Sequence, residues 1–366
     1  MNEALPEVAA LETPAALVDV GRMTANLRRV AEYCAEHGLA WRPHAKTHKT
    51  PELGAMQLAA GAVGLTVATP REAEVMAAVC DDLLLAYPLL GASKLARVLA
   101  LPERVRLSVA LDSVEALGAL ADASRAAGRK VGVLVELDAG MRRVGLQRPE
   151  DVVTLARLVV ARAADGIDYR GVAFYPGHVR APLAEQGESL RAVSEYLAGV
   201  LAALRAAGLP PRVVSGGSTP TQWRTHEIAG LTEIRSGINV FYDRTSVHVG
   251  ACGWDELAYS VLATVVSTAV PGQAVIDAGS KALAKEEVPG LAGYGALLER
   301  PEVVVRALSE EHGMLDLSQS DWRPRIGERV RVVPNHVCVS VALQERLRGV
   351  RESEVLSEWE VAARGR

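Results

Sequence analysis

Along the first two-thirds of the chain, short apolar runs alternate with stretches whose apolar residues recur at helical spacing. Runs that read as strands fall at 13–19, 39–42, 64–68, 82–86, 106–110, 130–136, 169–174, 212–215 and 233–235. Between the first two, Met23, Leu27, Val30 and Ala31 share one face of a helix. Further helices are predicted at 51–60, 93–99, 112–127, 149–164 and 183–207. Thr69-Pro70-Arg71-Glu72 opens another, with Thr69 as cap and proline in the first turn. Apolar strands alternating with helices argue for a parallel sheet covered on both faces. About eight such units over residues 1–254 predict a (β/α)8 TIM-type barrel, with an open doubly wound sheet as the alternative.

From residue 255 the texture changes. The runs at 257–266, 273–277, 303–306, 329–333 and 359–363 are β-branched, and helical periodicity is nearly absent. Residues 255–366 are therefore expected to form a mostly antiparallel β domain.

Composition narrows the class. Of the 366 residues 49% are hydrophobic, enough for a large globular core. A net charge of -4 without a basic block gives no footprint for nucleic acid or a membrane surface. The acidic start at residues 1–7 does not read as a signal peptide, and no apolar run is long enough to span a bilayer. Cys34, Cys80, Cys252 and Cys338 are too scattered for a disulfide framework, so the expected location is the reducing cytoplasm.

Polar clusters stand at the ends of several strands, where barrels carry their function. The most crowded is Arg42-Pro43-His44-Ala45-Lys46-Thr47-His48-Lys49-Thr50. Like charges this close repel, and the strain is relieved if one ammonium loses its proton or becomes covalently engaged, as in Schiff-base chemistry. An exposed basic turn is the simpler alternative for such a cluster taken alone. Other strand ends carry Asp138-Ala139-Gly140-Met141-Arg142-Arg143-Val144-Gly145, Tyr175-Pro176-Gly177-His178, Ser215-Gly216-Gly217-Ser218-Thr219 and Ser236-Gly237-Ile238-Asn239. The serine- and glycine-rich pair are anion-site candidates, the first at an expected helix N-terminus. Neither GxGxxG nor GxxxxGK[ST] occurs, which argues against dinucleotides and nucleoside triphosphates.

Downstream, His336-Val337-Cys338 places an imidazole and a thiol two residues apart. On an extended segment both would face the same way and suit zinc, leaving open positions for water or substrate. Buried, chemically silent core is the alternative for the cysteine.

These pieces together resemble the D-threonine aldolase and D-serine dehydratase family, fold type III pyridoxal-phosphate enzymes on the alanine-racemase-type barrel. The resemblance runs from Pro43-His44-Ala45-Lys46-Thr47-His48-Lys49, through the loops above and 235–243, to Glu310-Glu311-His312-Gly313, Pro334-Asn335-His336-Val337-Cys338 and 359–365. It implies that Lys46 anchors pyridoxal 5'-phosphate and that Arg143 approaches the ring's phenolic oxygen. It also implies that Tyr175 lies against the ring, while Ser218, Thr219, Gly237 and Ile238 hold the phosphate. His44 and Tyr242 complete the cofactor set, and His336 and Cys338 hold a divalent metal, zinc ahead of manganese or magnesium. Lys46 or His178 serves as the base.

The resemblance further implies a lyase acting on a small β-hydroxy D-amino acid, working as a homodimer. Within the family His-x-Cys is the dehydratase-like arrangement, so D-serine dehydration to pyruvate and ammonia leads. Retro-aldol cleavage of the D-threonine type is the alternative. A racemase or a non-enzymatic cofactor carrier leaves the metal pair without a role.

Overall fold

The computed structural model describes residue 5 and residues 7–366, so the reading of the chain's start rests largely on residues outside it. The chain forms two compact units: Arg29–Lys46, Thr50–Gly237 and Ala363–Arg366 make one, and Met1–Arg28, Thr47–Lys49 and Ile238–Ala362 the other. No helix among the described residues is long and apolar enough to cross a membrane.

The first strand is β1 (Ala15–Asp19), and helix α1 (Val20–Glu36) follows it. Eight parallel strands then build the first unit's sheet: β2 (Ala40–Trp41), β3 (Leu65–Val67), β4 (Asp82–Leu85), β5 (Arg106–Leu111), β6 (Val131–Leu137), β7 (Ile167–Phe174), β8 (Val213–Gly216) and β9 (Glu233–Ile234). They pair in the order β2-β9-β8-β7-β6-β5-β4-β3. A parallel bridge between His44 and Thr66 joins the two ends, so the strands form a ring as a (β/α)8 barrel requires. The residues explain the elements. All seven positions of β6 are buried, as expected of a strand covered on both faces. Thr69 accepts from the Glu72 N–H and Ser113 from that of Ala116. Gly128, in the left-handed region, ends the helix Val114–Ala127 at the position its sequence indicated.

Two expectations are corrected. The apolar run at 13–19 is not a barrel strand. It forms β1, which pairs antiparallel with Tyr259–Ser267 and parallel with Arg346–Arg351 in the sheet of the other unit. Accordingly the chain does not divide at residues 254 and 255, because hydrogen bonding ties the N-terminal segment to strands more than 230 residues away. Apart from the β1 pairing just noted, the strands of that nine-stranded sheet pair antiparallel, as expected of a β domain. The extended reading of His336-Val337-Cys338 is also revised. The strand Arg329–Pro334 stops short, His336 caps a helix in extended conformation, and Cys338 lies in its first turn, Val337–Leu343.

Candidate active site and metal pair

In the barrel unit, Arg42 leaves the end of β2 as a buried cation. Its Nε donates to Glu233 at 2.7 Å and its Nη1 to Asp82 at 2.8 Å. Three residues on, the chain makes a single 3-10 turn, Ala45–Thr47, that presents Lys46 half-buried. The Lys46 N–H donates to His44 Nδ1 at 3.3 Å, fixing how the turn starts.

The Lys46 Nζ stands 6.0 Å from the centre of the Tyr175 ring, and the Arg143 guanidinium carbon stands 5.1 Å from it. Three residues assigned to one cofactor are thus grouped around one aromatic face, within reach of a cation–π contact. Gly177 makes that ring position available, since a Cβ there would lie 2.1 Å from Tyr175 Cε1. The loop bearing Arg143 is tied down by Asp138, whose Oδ1 accepts from the N–H groups of Gly140 and Arg142 and whose Oδ2 accepts from Gln147. Although partial burial opposes it, these hydrogen bonds hold the Asp138 carboxyl below the usual carboxylate range. His178 is exposed and its ring lies against Gly140, where a Cβ would be 2.9 Å from it.

The anion-site residues follow β8 and β9. Ser218 and Thr219 are both buried, and Ser218 Oγ is 3.0 Å from Thr221 Oγ1. The segment after them is a 3-10 turn, Gln222–Glu227, in place of the expected α-helix N-terminus. Ser236 is buried and its Oγ has no hydrogen-bond partner. Beside it a Cβ on Gly237 would sit 2.5 Å from the His44 carbonyl oxygen, so only glycine lets these two strand ends approach. Buried polar atoms are rarely left unpaired, and an unsatisfied hydroxyl beside a glycine backbone fits a phosphate group.

Sequence reasoning passed over two groups here. Arg235 is buried, donates to the carbonyls of Ser215 and Phe174, and has its pKa lowered by that burial. Glu136, at the end of β6, has an unpartnered Oε2. Burial pushes its carboxyl up in spite of the charges of Arg235 and Arg143. A charged residue closing an otherwise apolar strand was the available signal for both.

The other unit holds the metal candidates. His336 Nδ1 lies 3.2 Å from Asp243 Oδ2, which also accepts from the Val337 N–H at 3.1 Å. Burial works against a charged imidazole, yet the Cys338 charge and the Asp243 carboxylate outweigh it and raise the His336 pKa well above its ordinary value. The Cys338 sulfur lies 3.3 Å from Thr47 Oγ1. An imidazole held through Nδ1 by a carboxylate leaves Nε2 as the donor, and with a facing thiolate this set fits zinc. Among the described residues no three His, Cys, Asp or Glu side chains are grouped to hold a metal. A metal here would keep open positions. Asn239 is buried with neither side-chain atom hydrogen-bonded, while Ile238 starts the turn whose carbonyl accepts from Tyr242 N–H at 2.7 Å. Tyr242 itself is packed in an apolar cluster with Cys252, Leu257 and Val333.

Comparison with known proteins decides the family. Residues 18–245 match the family described as "Alanine racemase, N-terminal domain", and residues 258–350 match "Putative serine dehydratase domain". The chain is 34% identical to D-threo-3-hydroxyaspartate dehydratase of Delftia sp., covering 96% of this chain and 97% of that one. The chain belongs to the D-threonine aldolase and D-serine dehydratase family.

D-threonine aldolase of Arthrobacter sp. is 32% identical over 98% of this chain and 94% of its own. Among solved structures, D-threonine aldolase from Filomicrobium marinum superposes with a TM-score of 0.91 at 30% identity, covering 100% of this chain and 99% of that one. The family therefore contains both of the reactions weighed from the sequence, one on each side of nearly equal similarity.

Proposed function

We propose that this protein is a pyridoxal-phosphate-dependent and metal-dependent lyase acting on β-hydroxy D-amino acids, with dehydration as its main reaction. The grouping of Lys46 and Arg143 about the Tyr175 ring carries the cofactor part of this reading. When bound, pyridoxal 5'-phosphate supplies the electron sink that makes bonds at the substrate Cα breakable. Lys46 Nζ holds it, and Tyr175 and Arg143 keep its ring in one orientation. Ser218, Thr219, Ser236 and the Gly237 amide receive the phosphate, and His44 and Tyr242 support this binding set. Lys46 and His178 are the two groups that would be available to take the substrate Cα proton.

A metal held by His336 and Cys338 would supply Lewis acidity towards the substrate hydroxyl. Thiolate and imidazole favour zinc over magnesium or manganese. Asp243 holds the His336 ring for that task. Solved structures of D-threo-3-hydroxyaspartate dehydratase include a histidine-to-alanine variant and a metal-free cysteine-to-alanine variant, mutated two residues apart. The same spacing separates His336 from Cys338, which favours dehydration here. The 32% identity to an aldolase keeps carbon–carbon cleavage as the second reading. The substrate is a small polar D-amino acid, the assembly a homodimer, and the location the cytoplasm, consistent with four cysteines outside any disulfide.

The test is product analysis with D-serine, D-threonine and D-threo-3-hydroxyaspartate, with and without a chelator. Ammonia with pyruvate or oxaloacetate is expected, and chelation should abolish it. Glycine with an aldehyde as the main products would select the aldolase reading. Absence of both, with an absorbance spectrum unchanged on adding pyridoxal 5'-phosphate, would reject the lyase.

A further inference from the structure

On the barrel unit, outside every residue given a role above, α1 carries Arg29 and Tyr33, and His37 directly follows its last residue, the three at four-residue spacing. That stripe meets the 3-10 turn Gln222–Glu227, which directly follows Ser218 and Thr219. The Arg29 guanidinium carbon is 4.4 Å from the Trp223 ring centre, and Tyr33 meets the same ring edge-on at 5.3 Å. The His37 and His226 rings are stacked with centres 3.9 Å apart and planes 7° from parallel. Tyr33 Oη accepts from the His226 N–H at 3.2 Å and lies 2.8 Å from His226 Nδ1, to which it can donate when that nitrogen carries no proton.

From His226 a buried chain of hydroxyls leads back to the loop. Thr225 Oγ1 donates to the Thr221 carbonyl at 2.8 Å, and Thr221 Oγ1 lies 3.0 Å from Ser218 Oγ. The Thr225 methyl also fills the space beside Gly217, where a Cβ would be 3.1 Å away. We propose that Tyr33, His37 and His226 are positioning residues that brace the Ser218–Thr219 loop in its anion-holding form, and that the brace weakens when His226 takes up a proton.

The physical basis is the neutral state of His226. A proton on His226 Nδ1 reverses its contact with the Tyr33 hydroxyl, which already accepts from the His226 N–H, and sets a cation against the stacked His37 ring. Burial and then His37 lower the His226 pKa, and Arg224 adds to this, while Glu227 and Glu36 oppose it. Arg224 and Glu227 are paired with each other at 2.7 Å and largely cancel. Burial raises the Tyr33 phenol to about 12, so it remains a donor throughout. Because the fold favours neutral His226, the brace is intact above the ordinary histidine value of 6.5 and is progressively lost as pH falls below it.

The anion part of this inference rests on the proposed cofactor reading, so the test has two arms. Hydrogen exchange of the full-length protein, corrected for intrinsic rates, follows the amides of Gln222, Arg224 and Ile228, which donate to the carbonyls of Thr219, Thr221 and Thr225. Protection should fall about fivefold between about pH 7.5 and about pH 5.5. His226→Asn, which keeps an acceptor that does not titrate, should hold its protection at both values, and Tyr33→Phe should be weakly protected at both. Equal protection of the wild-type turn at both pH values, or the same fall in His226→Asn, overturns the proposal. In the second arm, retention of pyridoxal 5'-phosphate should fall with pH more in the wild type than in His226→Asn, and retention of pyridoxal should not distinguish them. If the exchange arm behaves as expected and the phosphate ester is held no better than pyridoxal, the brace stands and the cofactor reading is what fails.

Discussion

His336 Nδ1 lies 3.2 Å from Asp243 Oδ2, and this contact sets how a metal would load. Against the burial of the ring, the Cys338 charge and the Asp243 carboxylate raise the His336 pKa well above its ordinary value and so favour the protonated ring when no metal is bound. In stability terms the charged ring contributes below about 6.5, and the contribution is lost as pH rises through the raised value. Metal binding has the opposite sign, because it needs the ring neutral and must displace that proton. Zinc affinity, measured by competition with a chromogenic chelator, should therefore rise with pH, by up to about tenfold per pH unit for each proton displaced from His336 or the Cys338 thiol. A pH-independent affinity would sink this account.

Asp243→Asn separates orientation from charge. The amide retains a contact to His336 but no longer favours its charged form, so the pH slope should flatten. Outer partners of metal-binding histidines are worth about 10–100-fold in affinity, and a loss of that size is expected. Wild-type affinity in the variant would show that Asp243 only caps its own helix through the Ser246 N–H.

Much of this arrangement was legible in the sequence, for identifiable reasons. Barrel strands such as β6 are buried on both faces, so each reads as an apolar run whatever its partners. Thr69, Ser113 and Gly128 act within one helical turn, and local signals reveal them. β1 was misplaced because an apolar pentapeptide pairs equally well in either sheet, and its neighbours lie far along the chain. The Val337-Cys338 segment read as extended because valine favours strands. It is helical because distant groups hold it: Asp243 accepts the Val337 N–H, and the Ser340 hydroxyl donates to the Ala282 carbonyl at 2.7 Å. Asp243 itself gave no signal, being 93 residues from the histidine it serves.

Gly177→Ala should damage the site without unfolding the barrel. Its Cβ would meet Tyr175 Cε1 at 2.1 Å and Met141 Sδ at 2.5 Å, so the ring must turn away from Lys46 and Arg143. Overpacking of this kind costs about 1–3 kcal/mol where the neighbours yield. Cofactor affinity, read from absorbance titration, should fall about tenfold or more while the melting temperature moves little. An unchanged affinity would mean that the Tyr175 ring does not face the cofactor.

Glu233→Gln should be a stability lesion. Glu233 Oε2 receives Arg42 Nε at 2.7 Å in a site where both side chains are below 10% exposed. Removing one partner of a buried pair costs about 3–5 kcal/mol, since the other charge stays desolvated. Asp82, 2.8 Å from Arg42 Nη1, retains part of the pairing, so the lower end is expected in urea unfolding. A change below about 1 kcal/mol would show that Asp82 alone satisfies the guanidinium.

Cys338→Asp bears on the choice of reaction. A carboxylate is a harder donor than a thiolate, so the preferred metal should move from zinc towards manganese or magnesium. These ions polarise a hydroxyl less strongly, which penalises its departure more than loss of its proton. Dehydration of D-serine needs that departure, whereas cleavage of D-threonine needs only the proton removed. The variant should therefore lose pyruvate formation about tenfold or more while glycine formation from D-threonine persists or rises, a difference of about 1.4 kcal/mol between the two barriers. The Thr47 hydroxyl, 3.3 Å from the Cys338 sulfur, can donate to the new carboxylate, so the substitution need not leave a buried charge unpaired. Parallel loss of both products, with zinc still preferred, would show that the thiolate does not select the reaction.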